Sequence, residues 1–227
     1  MLATSEMRCS PPYNSDIDMQ YYVESDGRVF LVDRSGTLDL PRRDEIPFRI
    51  IEIAPLKTEE DIVFCSPLLD SHPSHWKSKD EIAGSAYVSP LVRQSVHAGM
   101  PRVVVEGICL RDRSALLVRG SRGLTKGMWS LPGGFLRFGE TPEAGIVREI
   151  SEELNATATV EKLIGIKAKL GARSRLHWIM IFYRVGIEGD YAPNPDEIAR
   201  AEFFPIEEAR RLIGDDLMRE ALESIDL

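Results

Sequence analysis

The chain has 227 residues, 43% of them hydrophobic and 28% charged, with a net charge of −8 at pH 7. That composition suits one large globular domain or two small ones. An acidic balance without a long basic run argues against nucleic acid as a partner, and no run of 18 apolar residues marks a membrane span.

The start, MLATSEMRCSPPYNSDID, has no charged segment ahead of an apolar core, so it does not read as a signal peptide. Residues 1–17 are polar and proline-bearing and are expected to be disordered. Cys9, Cys65 and Cys109 form no CxxC pair, which fits a reducing cytoplasm. MQYYVE and RVFLVD flank Asp26-Gly27, a dipeptide suited to the two positive-φ positions of a tight hairpin turn. FRIIEIA and DIVFCS predict a second strand pair. The proline-rich stretch that follows has no clean period, so residues 18–100 read as a small β-rich N-terminal region. Cys65, His72 and His75 lack a fourth partner at zinc spacing, and the histidines read as surface-loop residues.

From Pro101 the pattern sharpens. PRVVVEGICLRD and SALLVRG predict a hairpin, and a glycine-bearing loop leads to WSLPGGF. Thr141 is a suitable N-cap, with Pro142 at the first helical position, and Asn155 tolerates the left-handed conformation that ends a helix. Two long strands follow, TVEKLIGIKAKL and RLHWIMIFYRVGI. A short strand AEFF and two helices close the chain, the last capped by Asp215. Alternation places His177 on the face of Ile179 and Ile181, as a core or pocket-wall residue. Residues 101–227 therefore predict an α/β (α+β) domain with a mixed sheet between helices.

The helix 142–154 carries the chemistry. Glu149, Glu152 and Glu153 share one face, while Val147, Ile150 and Leu154 form the apolar one. Like charges at this spacing oppose helix formation, so the cluster is either a solvated face or a site for a cation. Hard cations such as Mg²⁺ bind through a few carboxylates, waters and substrate phosphates. Gly133-Gly134 permits close backbone approach, so a carbonyl there could join the ligand set. Arg148, four residues before Glu152, is placed to pair with a carboxylate. Arg119, Arg122 and Lys126 form a basic loop that either contacts substrate phosphates or is simply solvated. Trp129 and Phe135 flank the glycine pair and either stack on a base or pack in the core.

These residues match a known spacing. Gly134, five residues, Glu140, seven residues, then Arg148-Glu149-Ile150-Ser151-Glu152-Glu153-Leu154-Asn155-Ala156 resembles the Nudix box, G-x5-E-x7-R-E-U-x-E-E-x-G-U. Only the late glycine departs, and Asn155 keeps its left-handed preference. Chance agreement of the fixed residues is on the order of 10⁻⁸ per start, so the match discriminates against coincidence. The resemblance implies a Nudix α/β/α sandwich and water attack on a nucleoside diphosphate linked to another group, assisted by Mg²⁺ or Mn²⁺. It implies Glu149, Glu152, Glu153 and the Gly133 carbonyl as metal ligands, with Arg148 and Glu140 as an orienting pair. Glu197 is the candidate general base, and a homodimer is implied by family habit. The chain has no SQPWPFPxS-type array after the box, and LGARSR lacks the proline common in ADP-ribose hydrolases. ADP-ribose or a related nucleoside-diphosphate sugar is the expected substrate, with nucleoside triphosphates, other dinucleotides or a non-catalytic sensor role as alternatives.

Overall fold

The computed structural model describes residues 19–172 and 174–225. The start expected to be disordered, Cys9 included, lies outside the described residues. The described residues form two compact units, 19–100 with 174–176, and 101–172 with 177–225.

The first unit is built on a five-stranded sheet. Strand β1 (Gln20–Ser25) pairs antiparallel with β2 (Arg28–Phe30), and Asp26 and Gly27 both take positive φ, as the two-residue turn requires. A separate small ribbon, β3 (Val32–Arg34) with β4 (Thr37–Asp39), follows. The pair β5 (Arg49–Pro55) and β6 (Ile62–Leu68) joins the sheet through β6, which runs parallel to β1. The stretch without period is not irregular throughout. It holds the short strand β7 (Lys77–Ser78), helix α1 (Lys79–Gly84) and the ten-residue helix α2 (Pro90–Gly99). Ser78 and Ser89 cap the two helices, and Pro90 sits in the first turn of α2, signals legible in the sequence but obscured by the prolines around them.

The second unit contains two four-stranded sheets. One runs β12-β8-β14-β13, from β8 (Arg102–Ile108), β12 (Gly133–Phe135), β13 (Thr157–Leu170) and β14 (His177–Glu188). The other joins β9 (Leu110–Arg111), β10 (Ser114–Gly120), β11 (Trp129–Ser130) and β15 (Ile198–Pro205). The first sheet is mixed, because β8 and β14 run parallel while its other pairs are antiparallel. The expected hairpin of residues 101–120 is therefore corrected. Only its tip, β9 against β10, is a hairpin, and β8 passes into the other sheet.

Helix α3 (Pro142–Leu154) packs on one side of the β8 sheet through the stripe Ile146, Ile150 and Leu154, each fully buried. Full burial of one such side chain is worth about 1.5–3 kcal/mol, so three fix the helix firmly. Ile146, not Val147, leads the stripe, because the 146/150/154 row follows the i,i+4 line and Val147 falls at its half-buried margin. Helices α4 (Ile206–Leu212) and α5 (Asp216–Glu223) cover a second core with Leu117, Leu131, Met180 and Phe182. Helices thus cover the sheets on both sides, an α+β sandwich. Among the described residues no helix is long and apolar enough to cross a membrane.

Candidate active site

The entry to α3 forms as its sequence requires. The Thr141 side chain accepts from the Ala144 amide, Pro142 occupies the first turn, and Asn155 ends the helix at φ 50°. One row beside the apolar stripe, Gly145, Glu149 and Glu153 are also buried. This face meets β12, where the glycines are a steric necessity. A Cβ on Gly133 would collide with the Val105 carbonyl oxygen, and one on Gly134 would lie 2.7 Å from Glu149 Oε1. The Gly133 amide donates to Glu153 Oε2 at 3.0 Å.

Arg148 organises the cluster. Its Nε and Nη2 donate to the two oxygens of Glu140 at 2.8 and 2.9 Å. Its Nη1 donates to Glu149 Oε1 at 2.7 Å and Glu152 Oε2 at 3.0 Å, and Nη2 also reaches the Phe135 carbonyl at 3.0 Å. The guanidinium side chain is only 15% exposed. Arg148 and the Arg137 amide together hold the Glu140 carboxyl down at about 2. The glutamates deeper in the fold respond oppositely. Burial, with the charges of Glu149 and Glu197, lifts Glu153 to about 8 despite its bond from Gly133. Burial also raises Glu149, against the pull of Arg148.

Two residues of this network were not singled out in the sequence. Arg137, in the loop before α3, donates through Nη2 to both oxygens of Glu152, at 2.8 and 3.1 Å. Glu106 in β8 stands opposite Gly133 and is 5% exposed, and its Oε2 has no hydrogen-bond partner among the described residues. Its carboxyl is pushed well above the ordinary value by burial first, then by Glu153, Asp215 and Glu149. A carboxylate inside the apolar run VVVEGICL was the available signal. Arg137 had none, because its contact depends on the loop's path.

Glu197 lies near the cluster, since its charge bears on both Glu149 and Glu153. Its loop is gripped from two sides. Asn194 donates through its amide to the Glu153 carbonyl and through Nδ2 to that of Glu152, while Asn155 Nδ2 donates to the Ala192 carbonyl. On the other side the Ser121 amide donates to the Glu197 carbonyl and its hydroxyl to that of Asp196. The Glu197 carboxylate accepts from Arg122 Nη2.

The remaining candidates divide. Arg119 Nε donates to the Gly127 carbonyl and so closes its own loop. Trp129 packs on the α4/α5 core, edge-on to Phe204 with Arg200 over its ring. Phe135 is 53% exposed beside Trp178, with ring centroids 5.8 Å apart, so of the two aromatics it is the one open to a ligand. In the first unit Cys65 is buried and His72 pairs with Asp26 at 3.3 Å.

Hard oxygen donors in a desolvated group of neighbouring carboxylates fit a divalent cation. Among the described residues no three His, Cys, Asp or Glu side chains converge closely enough to form a cage by themselves.

Known proteins point the same way. Residues 100–225 match the NUDIX domain model. An ADP-ribose pyrophosphatase of Methanocaldococcus jannaschii is 35% identical over 115 residues, 51% of this chain and 68% of that protein. A MutT-like protein of Streptomyces ambofaciens is 41% identical over 64 residues, 28% of this chain and 40% of that one. The crystal structure of a MutT NUDIX hydrolase from Burkholderia pseudomallei superposes with a TM-score of 0.50 at 26% identity, covering 56% of this chain and 99% of that one. With the box residues gathered around Arg148 and the domain model spanning residues 100–225, the chain belongs to the Nudix family and is a Nudix pyrophosphohydrolase.

Proposed function

We propose that the enzyme hydrolyses the diphosphate of ADP-ribose, or of a related nucleoside-diphosphate sugar, with Mg²⁺ or Mn²⁺ as cofactor. The similarity to the archaeal ADP-ribose pyrophosphatase carries the choice of substrate. Glu149, Glu152, Glu153 and the Gly133 carbonyl would hold the metal. When bound, the cation neutralises the diphosphate and lowers the pKa of a bound water.

The chain's own groups have separate tasks in this reading. Arg148 orients Glu149 and Glu152, and Glu140 anchors Arg148. Glu197 takes a proton from the attacking water at its carboxylate as the water oxygen bonds phosphorus and the bridging phosphorus–oxygen bond breaks. Arg122 sits on Glu197 and would keep its carboxylate turned to the cluster, while Arg119 supports the loop that carries Arg122. Phe135 offers an open ring for a base, whereas Trp129 supports the α4/α5 core. A homodimer is part of the same proposal. Exposed Leu163, Ile166 and Leu170 on the sheet's edge strand β13 support it, because such an edge invites pairing.

Product chromatography on a substrate panel with Mg²⁺ or Mn²⁺ tests this. AMP and ribose 5-phosphate from ADP-ribose, lost in Glu152→Gln and Glu153→Gln, is the expected result. Turnover confined to nucleoside triphosphates or dinucleotides would replace the substrate. Absence of any turnover, with thermal stabilisation by ADP-ribose, would favour a ligand sensor.

A further inference from the structure

We propose that Arg137 exchanges partners during the reaction. Its guanidinium holds Glu152, and it is released onto a phosphate oxygen of the substrate when Glu152 is taken by a divalent cation. This rests on the metal assignment above.

The two arginines on Glu152 differ in their freedom to leave. Arg148 is committed to Glu140, Glu149 and the Phe135 carbonyl as well as to Glu152 Oε2. Arg137 has its backbone fixed, its amide donating to Glu140 Oε2 at 3.0 Å, but its side chain is 60% exposed and its guanidinium donates to Glu152. Arg137 holds Oε1 at 2.8 Å, while Arg148 shares Oε2. A cation approaching Oε1 therefore competes with Arg137, and Arg148 keeps the carboxylate aimed.

The exchange is cheap and its product is useful. An exposed ion pair is weak, so giving it up lowers cation affinity by only about two- to fivefold. The released guanidinium is a planar fork suited to a phosphate. Its backbone lies two residues beyond Phe135, at the edge of the cluster where the diphosphate would lie. Leu136 packs into the α3 core, which pins the base of the loop while the side chain swings.

The test combines Mn²⁺ titration of the substrate-free protein, read by electron paramagnetic resonance, with steady-state kinetics on ADP-ribose. Wild type, Arg137→Ala, Arg137→Lys and Glu152→Gln are compared. Arg137→Ala is expected to bind Mn²⁺ about two- to fivefold more tightly and to raise KM about tenfold, with Arg137→Lys between it and wild type. A merely structural arginine would not move these two readouts in opposite senses. Unchanged or weakened Mn²⁺ binding in Arg137→Ala would overturn the exchange, and so would an unchanged KM. Glu152→Gln separates the two levels. Weakened Mn²⁺ binding there upholds the metal assignment whatever Arg137→Ala does, whereas unchanged binding overturns both.

Discussion

Arg148 and Arg137 are eleven positions apart in the chain and share one carboxylate, yet the fold treats them oppositely. Arg148 is enclosed and bonded to three glutamates and a carbonyl, whereas Arg137 stands in solvent with its guanidinium on Glu152. The first is a fixed frame and the second a removable clasp. Residue type does not separate them. What does is burial, and the number of partners that would be stranded if the side chain left.

The largest expected effect comes from breaking the frame. Arg148→Ala strands the buried Glu149 carboxylate and should cost about 3–5 kcal/mol. That is a fall in Tm of roughly 10 °C in a protein of this size, measurable by calorimetry. A loss comparable to that of Arg137→Ala would mean that the network is solvated after all.

Next in size is the pH response of the metal-free protein. Glu153 is raised to about 8 in the folded state from an ordinary value of 4.5, so the fold holds its proton more tightly than the unfolded chain does. Stability from this group is full below about pH 4.5 and is lost as pH rises through about 8. Glu140 runs the other way, with its contribution present above 4.5 and lost as pH falls through about 2. Thermal melts of chelated protein should decline from pH 5 to 8, and added Mg²⁺ should restore the upper end. A flat profile would place water around Glu153.

Glu106→Leu removes a buried carboxyl whose Oε2 has no partner among the described residues and should stabilise the fold by about 1–3 kcal/mol in urea melts, and a destabilised variant would reveal a partner for it. The smallest effect belongs to the clasp. Arg137→Ala should change stability by less than about 1 kcal/mol, and a larger loss would show that Arg137 belongs to the frame.

The legible parts of this molecule are those where local chemistry and tertiary packing agree. Thr141, Pro142 and Asn155 bound α3 in the sequence as in the structure, because each acts on backbone within a turn of itself. Glu140, Arg148 and Glu149 meet because helix geometry and a short loop leave them little choice. The expectation failed where partners come from afar. Strand β8 has the same apolar character whether it pairs with β10 or with β12 and β14, and only strands from farther along the chain decide. Helix α2 was hidden because prolines and histidines around it obscured two well-formed serine caps. Glu106 was visible as a carboxylate in an apolar strand, but its meaning depends on standing opposite Gly133. Arg137 was not legible, since a loop side chain chooses its partner only after the loop has closed.

Asn155, the departure from the box pattern, has a consequence for how this chain can diverge. A glycine would end the helix equally well but could not donate to the Ala192 carbonyl. That bond, with the two from Asn194, meters the chain between the helix end and Glu197. Insertions ahead of Tyr191 can be absorbed as slack in the loop. One residue added between Asn194 and Glu197 would carry the carboxylate past its place, so this short interval is where length itself, more than composition, is under constraint.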